Sequence, residues 1–181
     1  MNKSLFKYTK CYCEENIYLL LKRIAVSHPV TDFTVLFLSN KQKTFPIWYQ
    51  QASEEPEGFT VWDYHVILFD QKQKLIYDLD TTLSFPETGQ NYFSKALKFP
   101  TAFREDFKQE IRYVPGQYYL ADFASDRSHM LKNDKYLSPV PDYACIETKT
   151  TKNNLPEYFD FTSKAKGSIF TRDEFWDQFL Q

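Results

Sequence analysis

Two cysteines separated by one residue, Cys11 and Cys13, stand directly ahead of Glu14, Glu15 and a run of apolar residues at helical spacing. Further on, the stretch FTVWDYHVILFDQKQKLIYDLDT (59–81) alternates like a β-hairpin and carries His65, Asp78 and Asp80. A thiol, an imidazole and a carboxylate are the parts of nucleophilic attack on an acyl group. The thiolate attacks, the imidazole moves protons, and the carboxylate fixes the imidazole tautomer.

Other uses of the cysteines fit less well. A structural zinc site needs about four nitrogen or sulfur ligands, usually in paired elements. Here the C-x-C has no second pair, and Cys145, His28, His65 and His129 are scattered. No metal is expected. A disulfide between Cys11 and Cys13 would close a small strained ring. A free cysteine is ordinarily a buried small hydrophobe, and Cys11 is read that way. Cys13 differs because it falls at the first turn of a helix. There the unpaired backbone N–H groups and the dipole favour a thiolate, lower its pKa and could hold an oxyanion.

The hairpin leaves two registers open. A turn centred on Gln71-Lys72 puts His65 opposite Asp78, whereas one centred on Lys72-Gln73 puts it opposite Asp80. A lone histidine would be read as a satisfied core group. Cysteine at a helix start, histidine on a strand and aspartate on the next strand, in that order, favour catalysis, an arrangement also used by papain-like and transglutaminase-like thiol enzymes.

The elements that must position these residues follow from periodicity. Ile17, Leu20, Leu21 and Ile24 mark one face of a helix over Glu14 to Ser27, stopped by Pro29. Segments 33–38, 44–50, 59–69 and 75–80 predict an antiparallel meander of about four strands packed on that helix. Residues 91–111 give a weaker helical pattern interrupted by Pro100, and 125–142 read as a long polar surface loop. A short strand over 167–170 precedes Thr171-Arg172-Asp173-Glu174, a capping box that opens a last helix. Trp48 and Trp62 are assigned to the core.

The chain has 181 residues, enough for one substantial core, and a single domain over 1–181 is expected. Lysine and arginine total 22 against 24 acidic residues, a formal charge of −2, so no basic field favours nucleic acid. The opening MNKSLFKYTK lacks the apolar core of a signal peptide, and no window suits a membrane span. Together with three sparse cysteines, this predicts a soluble protein of a reducing compartment, cytoplasmic or also nuclear. The sequon Asn2-Lys3-Ser4 is then a chance match.

Six collinear segments carry a resemblance: CYCEENIYLL (11–20), PIWYQQA (46–52), WDYHVILF (62–69), IYDLDT (76–81), FASDRSHM (123–130) and CIET (145–148). Together the chain resembles the protein N-terminal glutamine amidohydrolases, enzymes of the N-degron pathway. The resemblance implies an α+β fold, an antiparallel sheet flanked by helices as an α-β-α sandwich of the transglutaminase-like thiol class. It also implies a cofactor-free monomer that hydrolyses the side-chain amide of an N-terminal glutamine to glutamate. Carried over by position, it places the triad on Cys13, His65 and Asp78, choosing Asp78 over Asp80. The segment SPVPDYACIET (138–148) is less proline-rich than is usual in the family.

A free α-ammonium in a partly buried pocket needs carboxylate or carbonyl partners. Glu14, Glu15 and Asp63 are the candidates, although a first-turn glutamate also serves the helix dipole. Asp126, in the loop cluster Asp126-Arg127-Ser128-His129, is a further candidate for the substrate cleft. Three other readings stay distinct: a cysteine peptidase, a transglutaminase-like crosslinker, and a non-catalytic module that holds an extended terminus.

Overall fold

A computed structural model describes residues 2–100 and 103–181. Its centre is an antiparallel sheet of six strands in the order β10-β7-β1-β4-β5-β6. In chain order the strands are β1 (Phe33–Ser39), β2 (Phe45–Ile47), β3 (Thr60–Trp62), β4 (His65–Asp70), β5 (Leu75–Tyr77), β6 (Glu87–Thr88), β7 (Glu110–Pro115), β8 (Leu131–Lys132), β9 (Lys135–Tyr136) and β10 (Ser168–Thr171). The helices are α1 (Cys13–Ile24), α2 (Gly89–Lys95), α3 (Gly116–Asp122), α4 (Leu155–Tyr158) and α5 (Arg172–Phe179).

Strands β1 and β4 are buried along their whole length, so both faces of the sheet must be covered. The period of two sorts their side chains. Phe33, Val35 and Phe37 with Val66 and Leu68 pack against Ile17, Leu20, Leu21 and Ile24 of α1, Tyr119 of α3 and Tyr158 of α4. Leu36, Leu38, Ile67 and Phe69 point the other way, onto Tyr92 and Phe93 of α2 and Phe175 of α5. The expected α+β layering, a sheet between helices, is what forms.

The connectivity differs from a simple meander. Segment 44–50 leaves the sheet: β2 pairs only with β3 in a separate ribbon, and β1 pairs directly with β4. Alternation within a segment identifies a strand but not its neighbour, because pairing partners are chosen by tertiary packing. The 91–111 helical pattern is also corrected. Helix α2 ends at Lys95 ahead of Pro100, residues 101 and 102 lie outside the described residues, Glu105–Phe107 form a single 3-10 turn, and only Glu110 and Ile111 of the segment lie in strand β7. Helix α3 follows β7 directly, at Gly116, where a Cβ would lie 2.8 Å from the Phe33 carbonyl oxygen. Helix α1 stops at Ile24 rather than Ser27.

Strand β10 and the capping box of α5 form as read, with Thr171 Oγ1 accepting from the Glu174 N–H and the Glu174 carboxylate accepting from the Thr171 N–H. The 125–142 segment is exposed along β8 and β9, but it is not wholly a surface loop, since Arg127, Met130 and Ser138 are buried. No helix among the described residues is long and apolar enough to cross a membrane.

Candidate active site

Helix α1 begins at Cys13, with Tyr12 as its N-cap and Cys11 in the left-handed region at φ 68°. The first helical hydrogen bond runs from the Asn16 N–H to the Tyr12 carbonyl at 2.9 Å, so the N–H groups of the first turn have no helical acceptor. Asn16 fastens the approach to the helix: its Nδ2 donates to the Thr9 carbonyl and its Oδ1 accepts from the Thr9 N–H, both at 2.8 Å. Cys13 is therefore presented by a fixed turn. Its half-buried side chain opens into a cavity of about 280 Å³, shared with Cys11, Trp62, Asp63, Tyr64, His65, Asp80, His129 and Phe159.

The hairpin that supplies His65 takes the second of the two registers. Leu68 pairs with Tyr77 and Asp70 with Leu75, while Asp70 Oδ1 accepts from the Lys72 and Gln73 N–H groups to close the turn. Continued pairing would set His65 opposite Asp80. Instead β5 ends at Tyr77, and the chain is captured by the 49–51 segment: the Gln51 N–H donates to the Asp80 carbonyl and the Thr82 N–H to the Tyr49 carbonyl. That departure from the ladder brings Asp78 to His65, with Nε2 to Oδ1 at 2.9 Å. His65 thus meets Asp78, the residue picked by the resemblance, although not through the register that sets the two opposite each other.

Asp78 is fully engaged. Oδ1 also accepts from the Asp80 N–H at 2.8 Å, and Oδ2 accepts from Tyr92 Oη at 2.7 Å and Gln50 Nε2 at 3.1 Å. Burial alone would raise its pKa, but the His65 charge and these donors hold it down at about 2. Burial pulls His65 down, and the Asp78 charge and hydrogen bond overcome this, so the imidazole lies above its ordinary value. Because Nε2 is committed to Asp78, Nδ1 is the ring nitrogen left for proton transfer.

The thiol departs from the sequence expectation. Burial pushes the Cys13 pKa well above its ordinary value, and the negative charges of Glu14, Asp80 and Asp63 add to the shift. The Val66 backbone N–H opposes it but does not win. At this position desolvation works against the first-turn dipole. Carbamidomethylation of Cys13, followed by peptide mapping to separate it from Cys11 and Cys145, should still be accelerating at pH 9. A plateau below pH 7 would show a stabilised thiolate instead.

The His65, Asp78 and Asp80 ligand atoms lie within 4.8 Å of one another, a grouping of metal-binding type. Asp78 accepts from four donors, and Asp80 Oδ1 accepts from Tyr8 Oη at 2.6 Å.

The family model described as N-terminal glutamine amidase matches residues 8–179. The chain belongs to that family. Relatives named protein N-terminal glutamine amidohydrolase include those of human, 38% identical over 95% of this chain and 87% of its own, and of zebrafish, 37% identical over 95% and 88%. The one from indica rice is 39% identical over 87% of this chain and 74% of its own.

Within this member of the N-terminal glutamine amidase family, the four carboxylates considered for the cleft have different fates. Glu15 is buried and bound by both oxygens to Arg127, Nε at 2.9 Å and Nη2 at 2.8 Å, so it is unavailable to a ligand. Asp126 is exposed and does not line the cavity. Its Oδ1 accepts from the Ser128 N–H and from Asn153 Nδ2, which shapes the turn preceding His129. Asp63 is exposed at the cavity wall and spends Oδ1 on the Tyr64 N–H. Glu14 is fully buried beside the thiol. Its Oε2 accepts from Tyr64 Oη at 3.0 Å and lies 3.6 Å from Cys13 Sγ, while Oε1 has no hydrogen-bond partner and faces His129 Nε2 at 3.4 Å.

Other cavity features were not legible from the chain. Gln50 and Tyr92 reach Asp78 from distant positions that no spacing rule announces, Tyr64 is the neighbour of His65, and His129 of the 126–129 cluster lines the cavity. Trp48 is core as expected, but Trp62 is only partly buried and lines the cavity, as does Cys11. Phe159 closes one side, stacked on Tyr64 with ring centroids 4.9 Å apart. Its loop is held by the buried Arg112, which donates to the Tyr158, Asp160 and Ser163 carbonyls at 2.7, 2.6 and 2.9 Å.

Proposed function

We propose that this protein hydrolyses the side-chain amide of N-terminal glutamine in proteins and peptides, giving glutamate and ammonia through a Cys13, His65, Asp78 thiol mechanism. The observation that carries the reading is the cavity shared by Cys13 and an Asp78-bound His65 in a chain matched to the family over 8–179. The thiol must lose its proton during attack, and His65 Nδ1 is the base to take it. The sulfur then bonds to the amide carbon. The oxyanion is received by free N–H groups of the first turn of α1. His65 returns the proton to the departing nitrogen, ammonia leaves, and a γ-glutamyl thioester remains. Water, deprotonated by His65, adds to that thioester, and the thiol is expelled with its proton restored. Asp78 carries the compensating charge while the imidazole is protonated.

Asp63 and Glu14 are assigned to the α-ammonium, since both carry a carboxylate oxygen with no hydrogen-bond donor at or beside the cavity. Asp63→Asn and Glu14→Gln are each expected to raise KM for a glutamine-terminal peptide about tenfold, the scale of one charge-assisted hydrogen bond. Steady-state kinetics check this, and an unchanged KM in both variants removes the assignment.

We read the protein as a monomer that works without a cofactor in the cytoplasm or nucleus, on polypeptide termini rather than on nucleic acid or membranes. Its product, a chain beginning with glutamate, would feed N-degron degradation. The test of reaction type compares products from one glutamine-terminal peptide supplied with free lysine. Ammonia with an intact, glutamate-terminated peptide supports the amidase; peptide fragments indicate a peptidase, an isopeptide product a crosslinker, and binding without turnover a recognition module.

A further inference from the structure

The cavity that holds Cys13 and His65 is also lined by a second imidazole, His129, with 17% of its side chain exposed. It faces Glu14, whose Oε2 lies 3.6 Å from Cys13 Sγ. Glu14 is fully buried, and its Oε2 accepts from Tyr64 Oη. Glu14 Oε1 and His129 Nε2 lie 3.4 Å apart, and neither has a hydrogen-bond partner among the described residues. A buried carboxylate with an unpaired oxygen is costly, and an imidazolium at this distance offsets its charge. The sulfur feels both groups. A carboxylate 3.6 Å from Sγ opposes a thiolate, and a cation paired with that carboxylate reduces the opposition.

The chain holds His129 in this place. Arg127, in the left-handed region at φ 64° and bound to both oxygens of Glu15, anchors the turn on α1. The Met130 N–H closes that turn on the Arg127 carbonyl at 3.0 Å, and Tyr12 meets the imidazole edge-on with ring centroids 6.3 Å apart. The charges that act on the ring are Glu14 and Glu15 from α1, Asp63 from between β3 and β4, and Asp126 and Arg127 from its own segment. Lys10, His65 and Asp80 share the cavity with it. Burial pulls His129 down, and Glu14, ahead of Glu15 and Asp63, overcomes this, so the imidazole lies above its ordinary value.

We propose that His129 is a positioning residue for the nucleophile: its imidazolium offsets the Glu14 charge, so that the Cys13 proton passes to His65 Nδ1 and leaves a thiolate beside a paired carboxylate. This rests on the amidase reading and adds a resident cation at the carboxylate to which that reading brings the α-ammonium. The experiment measures carbamidomethylation of Cys13 by iodoacetamide, resolved by peptide mapping, between about pH 6 and pH 9. Wild type, His129→Gln, Glu14→Gln and the double variant are compared, all below their melting transitions. His129→Gln should slow the reaction about tenfold at about pH 6.5, the effect of displacing the thiol titration by about one unit. That deficit should shrink as the pH rises and the wild-type imidazolium is lost. Glu14→Gln should speed the reaction, and adding His129→Gln to it should change the rate by less than about twofold. In His129→Gln, kcat/KM for ammonia release from a glutamine-terminal peptide should show the same pH-dependent deficit. A rate unchanged by His129→Gln, no acceleration by Glu14→Gln, a deficit equal at every pH, or the same deficit in the Glu14→Gln background would overturn the proposal, the last two marking a merely structural role. No ammonia from the wild-type protein on any glutamine-terminal peptide, with the alkylation pattern as expected, would overturn the amidase reading and leave the charge compensation standing.

Discussion

Asp78→Asn is expected to lower kcat for deamidation by about 10³- to 10⁴-fold with KM little changed, the loss seen when the charge behind a catalytic imidazole is removed. The native carboxylate accepts from His65, the Asp80 N–H, Tyr92 and Gln50, and its charge keeps the imidazole above its ordinary pKa. Under the proposed thiol mechanism, a neutral amide in its place cannot stabilise the imidazolium formed when Cys13 gives up its proton. Burial pushes that thiol up, so the proposed attack relies on His65 as its base. Tyr92→Phe removes one of four donors and should cost far less, under about tenfold in kcat. Stopped-time ammonia assays on folded variants compare the two, and similar losses would mean that the site tolerates a neutral partner.

The second large effect is on stability. Glu15→Ala leaves the Arg127 guanidinium buried without its carboxylate, with only 6% of its side chain exposed. Breaking such a pair from one side costs about 3 to 5 kcal/mol, whereas replacing both members with apolar residues of similar volume can be nearly neutral. At this chain length the single variant should melt roughly 10 °C lower. The double substitution Glu15→Met with Arg127→Met should recover most of the loss. Differential scanning calorimetry separates these outcomes. A small shift for Glu15→Ala would mean that water reaches Arg127 and that the clamp does not hold the loop. The clamp also links α1 to the segment that follows the hairpin, through Arg127 contacts to the Pro141 and Ala144 carbonyls, both at 3.5 Å.

The legible parts of this molecule are those set by short-range pattern. The apolar stripe of α1, the alternation of β1 and β4, and the Thr171 to Glu174 capping box each follow from a few neighbouring residues, and each forms. Cys13 at the helix start and His65 on a strand could be placed for the same reason. Strand order could not, because β2 and β3 carry the same local pattern whether they join the sheet or leave it. The His65 and Asp78 contact is a sharper case. Its register favours Asp80, and Asp78 arrives only because residues 49–51 draw the chain out of the ladder. The influences on the Cys13 thiol divide in the same way. The helix N-terminus is visible in sequence, while the burial and the convergence of Glu14, Asp63 and Asp80 that outweigh it are tertiary.

Ammonia release from a short peptide beginning with glutamine, run beside its N-acetylated and N-terminal asparagine counterparts, tests the central claim most directly. Release confined to the free glutamine terminus, and abolished in folded Cys13→Ala, is the predicted result. Undiminished release by Cys13→Ala, or equal release from the acetylated peptide, would contradict the assigned nucleophile or the recognition of a free terminus.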